Sequence, residues 1–473
     1  MKKKIVKAFS WDFAGSILGF GSTFLTSVIL SRILTPEEFG IIAIAMAFIL
    51  IFNVVSEFGL KQALIQSIEN SELDYSSVFY INLGVGTILG VGVFLLAPLI
   101  AAEFNEAPLS AALQMLSGTI ILNSLTTVQI AILSKRLDFK ALSIRMIIAK
   151  VLAAVIGIIL AYSGWGLFSL IWQEIIFAVL NAVLLWYVSD WRPSLRFSWD
   201  PIRRLYQFGL FIFLNRAIDE VILRLDELII GKVFSTATLG YYDRSNIISQ
   251  NINGLTSKSV YNVFFPVLSE LQSKPVDFER MYVTILTAIS IVSFGITGLA
   301  FLGSEPIIIG LFGDQWFPSI PIFQILMFKL FTYPASRFLN VGLLAKGYAK
   351  QHFLFGLIKK SLRISTYIIA FMYGFEPFLY ASVVVSFINV IFSNVVNNKY
   401  LGINLFLQVR PLLVSSLICA VSITIVYIID INKSNTYINF LINGGIFALA
   451  YTGISVYVNR TWIRLLIMEF KTS

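Results

Sequence analysis

With 473 residues, 57% of them hydrophobic, 13% charged and 41 Phe, and with a mean hydropathy of +0.83, the chain has too little polar surface to cover a soluble globule. A single His and a single Cys exclude a disulfide framework and a His/Cys metal centre. The net charge of +9 falls on the connections between apolar segments, which fits anionic lipid headgroups rather than a nucleic-acid footprint.

A helix needs about 20 apolar residues to cross about 30 Å of hydrocarbon. The chain offers about fourteen such segments, near 11–34, 40–60, 77–102, 109–133, 142–162, 166–189, 205–233, 239–268, 281–302, 320–345, 352–373, 378–399, 407–429 and 437–458. Even-numbered connections and both ends hold the Lys and Arg, among them Lys2 to Lys4, Arg136, Arg203, Arg204, Lys350 and Arg460. Odd-numbered connections hold Glu37, Glu38, Glu103, Glu106 and Glu305 instead. The positive-inside rule then places both termini in the cytoplasm, which requires an even count of spans and leaves twelve open beside fourteen. The basic start imitates a secretory signal, but no small-residue cleavage site ends the run, which continues as a full span. Cys419 reads as a buried small apolar residue.

Residues Ser31 to Gly40 (SRILTPEEFG) align without gaps with Gly231 to Gly240 (GKVFSTATLG). Each joins the first two spans of a six-span half: a basic residue at the helix end, a small polar turn, and a Gly opening the next span. The expected architecture is an all-α polytopic membrane protein with two pseudo-symmetric six-helix lobes, 1–189 and 205–400, around a central polar cavity. A cytoplasmic linker spans 190–204, two accessory spans cover 401–459, and the tail 460–473 reads as an interfacial helix.

Span 7 is the segment least suited to lipid. Arg216, Asp219, Glu220, Arg224, Asp226 and Glu227 fall within about 160° of arc at roughly 100° per residue. One such charge at the bilayer centre costs roughly 2.5–3.5 kcal/mol, so this face meets water or partners inside the bundle, and a transport pathway is the leading idea. The bland alternative is self-neutralisation through the i,i+4 pairs Arg216–Glu220 and Glu220–Arg224. Span 8 carries a second polar face, including Asn246, Gln250 and Asn253, which lines the same cavity or serves as polar glue between helices.

The stretches ILTPEEFG (Ile33 to Gly40), EFGLKQALIQ (Glu57 to Gln66), DELIIGK (Asp226 to Lys232) with LGYY (Leu239 to Tyr242), and FPVLS (Phe265 to Ser269) resemble the bacterial polysaccharide flippases. These belong to the multidrug/oligosaccharidyl-lipid/polysaccharide exporter superfamily. The resemblance covers spans 1 to 8 and is nearest to the branch exporting lipopolysaccharide (O-antigen), colanic-acid-like and teichuronic-type polymers. It implies a bacterial inner-membrane protein that moves an undecaprenyl-pyrophosphate-linked oligosaccharide from the cytoplasmic to the periplasmic leaflet by alternating access.

That task needs cations at membrane depth for two phosphates, and hydroxyl or amide groups for sugars. Lys150, Arg216, Lys329 and Arg363 lie near the middle of their spans, with Arg224 about two turns beyond Arg216; they are the pyrophosphate candidates. Asn246, Gln250 and Asn253 are the glycan-contact candidates. Glu174, Asp219, Glu220 and Asp226 are candidates for a coupling H⁺ or Na⁺, with a structural Lys150–Glu174 pair as the alternative for Glu174. Arg32 and Lys232, at outer helix ends, either gate the periplasmic side or snorkel. No catalytic constellation, nucleotide loop, cofactor motif or metal-ligand spacing stands out, and the partners implied are the polyprenyl-pyrophosphate-linked glycan and membrane lipids, with no nucleic acid. A multidrug or organic-cation antiporter of the same superfamily is the second reading, and a membrane enzyme acting on the same lipid the third.

Overall fold

The computed structural model describes residues 2–429 and 436–460, with side chains described except at 2–9, 12, 207, 208, 211, 253–263, 333, 334 and 337. Every regular element among them is helical. The expected interfacial tail from 461 on lies outside the described residues. Contacts gather into two units, Met1–Gly240 and Tyr241–Ser473.

The first unit holds α1 (Lys2–Ser31), α2 (Pro36–Glu57), α3 (Leu60–Gln66), α4 (Glu72–Phe104), α5 (Ala107–Ser124), α6 (Thr127–Lys135), α7 (Phe139–Tyr162), α8 (Leu167–Val188), α9 (Trp199–Val233) and the first turn of α10 (Thr236–Glu270). Helix α7 packs between α1 and α8, while α2 packs on α5 and α9. The second unit holds the rest of α10 with α11 (Pro275–Leu302), α12 (Ser304–Phe312), α13 (Ser319–Leu330), α14 (Tyr333–Ala345), α15 (Ala349–Tyr373), α16 (Phe375–Leu401), α17 (Leu405–Ile429) and α18 (Thr436–Val458). Its centre is α11, which meets α13, α14, α17 and α18.

Among the described residues ten helical stretches are long and apolar enough to cross a membrane. Rows of exposed Leu, Ile, Val and Phe along α4, α7 and α17, such as Leu95, Leu99, Val155, Leu417 and Val421, take lipid as their solvent, so the protein is a multi-pass membrane protein. The remaining expected segments correspond to α9, α10, α15 and the α13–α14 pair, which carry the charges under discussion. Polarity sets α9, α10 and α15 apart from the ten, whereas α13 is apolar but short.

Two expected spans are broken rather than continuous. The fourth divides into α5 and α6 at Leu125–Thr126, the tenth into α13 and α14 at Phe331–Thr332. At each break a buried Thr turns its hydroxyl back on the carbonyl three residues before: Thr126 Oγ1 donates to Asn123 at 2.8 Å, Thr332 Oγ1 to Lys329 at 2.6 Å. The backbone N–H of each also reaches that i−3 carbonyl, at 3.1 and 3.0 Å, so one turn tightens and the helix restarts. These are the fourth spans of the two expected halves, and the same device serves in both.

The paired turns share a cap as well. Thr35 caps α2 in a capping box: its hydroxyl accepts from the Glu38 N–H at 3.4 Å, its own N–H donates to Glu38 Oε2 at 2.8 Å, and Pro36 sits in the first turn. At the aligned position Ser235 Oγ accepts from the Thr238 N–H at 3.1 Å. The two helix starts then cross each other. A Cβ built at Gly40 would overlap the carbonyl of Thr236, and one at Gly240 would overlap the carbonyl of Pro36. Positions 36 and 236 are equivalent in the alignment, so the contact is reciprocal, and only glycine allows either backbone so close.

The linker is anchored through one of its tryptophans. Trp191 is buried in a cluster with Phe79, Val128, Ile132 and Leu205, and its Nε1 donates to Glu72 Oε2 at 2.9 Å. Trp199 stays exposed. Cys419 is buried as expected, in the cluster of Phe294, Phe447 and Tyr451 that fixes α17 and α18 to α11.

Candidate functional site

The charged face of α9 is neutralised, but not in the pattern that helical spacing alone suggests. Arg216 leaves Glu220 and pairs with Glu57 at the end of α2, Nη1 to Oε2 at 2.9 Å. Glu57 also holds Lys61 at 2.5 Å, so one carboxylate serves two cations. Arg224 takes both neighbouring acids, Glu220 at 2.8 Å and Glu227 at 3.3 Å. Asp226 and Glu227 are buried, while Asp219 is exposed. Charge within this helix and α2 is thus largely balanced without a ligand.

The lysines behave differently. Lys150, at the middle of α7, is half-buried and donates to the hydroxyl of Thr23 at 3.1 Å and the carbonyl of Gly19 at 3.4 Å, both on α1. Glu174 on α8 acts on it electrostatically, yet no ion pair forms between them. Lys359 was not singled out by sequence; it sits half-buried near the middle of α15 and donates to Asn340 Oδ1 on α14 at 2.9 Å. It lies one helical turn before Arg363 on the less exposed face of α15, a spacing that was available in the sequence. Lys329, half-buried at the end of α13, makes no ion pair and no side-chain hydrogen bond among the described residues. A further cation missed by sequence, Arg145 on α7, is buried and donates to Asn181 Oδ1 on α8.

The polar face of α10 divides between glue and open groups. Ser245 Oγ reaches the carbonyl of Ser319 at 3.0 Å, and Ser319 Oγ returns to the carbonyl of Tyr241 at 3.1 Å, tying α10 to α13. Asp243 and Arg244 pair at 2.6 Å. Asn246 is half-buried and Gln250 exposed, and neither side-chain amide bonds to another described residue. They are one turn apart on a single face. Asn253 lies outside the described side chains.

At the C-terminal end of α9, Lys232 is tied to the end of α4. Its ammonium meets Glu103 Oε2 at 2.9 Å, the Glu103 carbonyl, and the face of Phe104. Beside it Thr236 Oγ1 donates to Glu106 Oε1 at 2.9 Å. Arg32 is exposed at the end of α1. Among the described residues no group of three or more His, Cys, Asp or Glu could hold a metal.

Residues 29–321 match the family described as polysaccharide biosynthesis protein. The succinoglycan biosynthesis transport protein ExoT of Rhizobium meliloti is 27% identical over 345 residues, 71% of this chain and 68% of that one. The lipopolysaccharide biosynthesis protein WzxC of Escherichia coli is 22% identical over 78% of this chain and 75% of its own, and the teichuronic acid biosynthesis protein TuaB of Bacillus subtilis 22% identical over 58% and 57%. Among solved structures, an inward closed conformation of the lipid II flippase MurJ superposes with a TM-score of 0.78 at 18% identity, covering 97% of this chain and all of that one. An inward-facing multidrug resistance transporter of the MATE family, in the MOP superfamily, gives 0.62 at 14% identity over 80% and 94%. These two place the fold.

Proposed function

Because the chain belongs to the polysaccharide biosynthesis protein family, we propose that it translocates an oligosaccharide carried on a polyprenyl pyrophosphate from the cytoplasmic to the outer leaflet of the bacterial plasma membrane, for assembly of a cell-surface polysaccharide. It does so by alternating access of two lobes, 1–189 and 205–400, with both termini in the cytoplasm. The roles named for its relatives in succinoglycan transport, lipopolysaccharide and teichuronic acid synthesis support a carrier rather than a catalyst.

The observation that carries this reading is the state of the mid-helix lysines. Lys150 and Lys359 are half-buried cations whose hydrogen bonds go to neutral oxygens, with Glu174 acting on Lys150 only from beyond ion-pair distance, a costly arrangement that an anion would relieve. A pyrophosphate supplies that charge, and a lysine is a point contact that can also let go. Lys329 and Arg363 extend the same role, and the open amides of Asn246 and Gln250 suit sugar hydroxyls. Arg216 and Arg224, already neutralised, act chiefly by holding α9 in place. Lys232 with Glu103 works as an outer latch, and Arg32 belongs to the same outer gate. Glu174, Asp219, Glu220 and Asp226 remain the groups through which H⁺ or Na⁺ would drive the cycle.

The test is a deletion strain complemented with the wild-type gene, Lys150→Ala, Lys359→Ala or Arg216→Ala, scored for surface polymer and for lipid-linked repeat units trapped on the cytoplasmic side. The deletion and both lysine variants, inserted at normal level, should trap repeat units and lose polymer. Intact polymer in the deletion, with raised sensitivity to cationic drugs, would replace the flippase with an antiporter.

A further inference from the structure

The second unit contains a cavity of about 460 Å³ that the transport reading leaves unused. It lies among the end of α11, the first turn of α12, α13, and the near ends of α17 and α18. Its volume falls within the roughly 300–1,000 Å³ common to small-ligand sites. By the distribution of Lys and Arg this is the outer side of the membrane.

The chemistry of the wall is selective. Gln324 Nε2 donates to Ser304 Oγ at 2.8 Å, which fixes the amide and leaves its carbonyl oxygen to accept. Asn443, from α18, turns into the wall a side-chain oxygen that is enclosed and has no hydrogen-bond partner. A buried carbonyl without a protein partner is satisfied by water or by the donor of a ligand. Thr436 adds a hydroxyl, Glu305 a carboxylate, and Phe440 an aromatic face. Phe440 is held against α11 by close approach, since any Cβ at Gly303 would overlap its ring.

No lysine or arginine lines the cavity, and Glu305 would repel a phosphate. The amides and hydroxyls make it equally poor for a prenyl chain. What remains is a ligand rich in hydroxyls, neutral or carrying an amino group, with one apolar face to lay on Phe440. We propose that this cavity is a glycan subsite, binding a sugar residue of the transported oligosaccharide on the outer side. The proposal rests on the flippase reading. It gives α17 and α18, which stand outside the internal repeat, a task in recognition.

The experiment uses the full-length protein in lipid nanodiscs. The probe is the repeat-unit oligosaccharide released from the host's own polymer, free of pyrophosphate and prenyl chain, followed by saturation-transfer NMR and titration. Wild type should bind it saturably, inorganic pyrophosphate should not displace it, and Asn443→Leu and Gln324→Leu should each weaken it at least about tenfold. Thr436→Val, at the first residue of α18, serves as a milder variant with a smaller loss should either leucine variant fold poorly. Absence of saturable binding, displacement by pyrophosphate, or wild-type affinity in all three variants overturns the subsite. Equal binding of sugars foreign to the polymer overturns its assignment to the glycan. If the deletion strain exports polymer normally, the flippase reading itself fails, so the two failures are told apart.

Discussion

The arginines of α9 and the lysines of α7 and α15 pose the same problem to the membrane and solve it in opposite ways. Arg216 and Arg224 each face a carboxylate within 3 Å, so their helix carries its own counter-charge. Lys150 and Lys359 face a hydroxyl, a carbonyl and an amide oxygen. The first set carries its counter-charge within the fold; on the proposed reading the second is completed by an anionic ligand. A buried cation is therefore informative about function in proportion to what is missing around it.

Replacing Arg224 with Met attacks the first set hardest, because it strands Glu220 and the buried Glu227 together. A loss of about 3 kcal/mol is expected, read as a lower melting temperature in detergent or nanodiscs. Lys150→Met and Lys359→Met should do the reverse: melting unchanged or higher, with transport of lipid-linked repeat units down roughly 10- to 100-fold, the worth of one charge-assisted hydrogen bond at about 1.5–3 kcal/mol. Should either lysine variant melt as low as Arg224→Met, the distinction between the two sets collapses. Glu57→Gln moves Arg216 from the first set toward the second, and about 1 kcal/mol of stability should go with it, since the arginine is partly exposed. Glu103→Gln, on the exposed outer pair with Lys232, should change melting by no more than about 0.5 kcal/mol, and a larger change would mean that the outer latch shapes the resting state.

Much of this architecture is written locally in the chain. Apolar segment length marks the ten membrane-crossing helices, and the ten-residue match between the two turns reappears as matched caps at Thr35 and Ser235 and as the reciprocal contact of Gly40 and Gly240. The charged face of α9 was legible from its angular spread. Its pairing was not, because Glu57 lies 159 residues from Arg216 and only tertiary packing brings them together. The breaks at Thr126 and Thr332 were hidden inside apolar runs that satisfy a span by length; Pro334, in the first turn of α14, was the available sign of a restart. Lys359 stands beside Lys360, and an adjacent pair of lysines reads as a solvated face, although its i,i+4 relation to Arg363 puts both on the less exposed side of α15.

The crossing of the two glycines also bears on how the turns can change length. Surface turns ordinarily absorb insertions with little penalty. Here one added residue between Thr35 and Gly40 would rotate the rest of α2 by roughly 100° and carry Gly40 off the Thr236 carbonyl, replacing it with a side chain that has nowhere to go. The same holds between Ser235 and Gly240. Each of these two short connections is tied to its own spacing, and a variant that lengthens either one loses the contact.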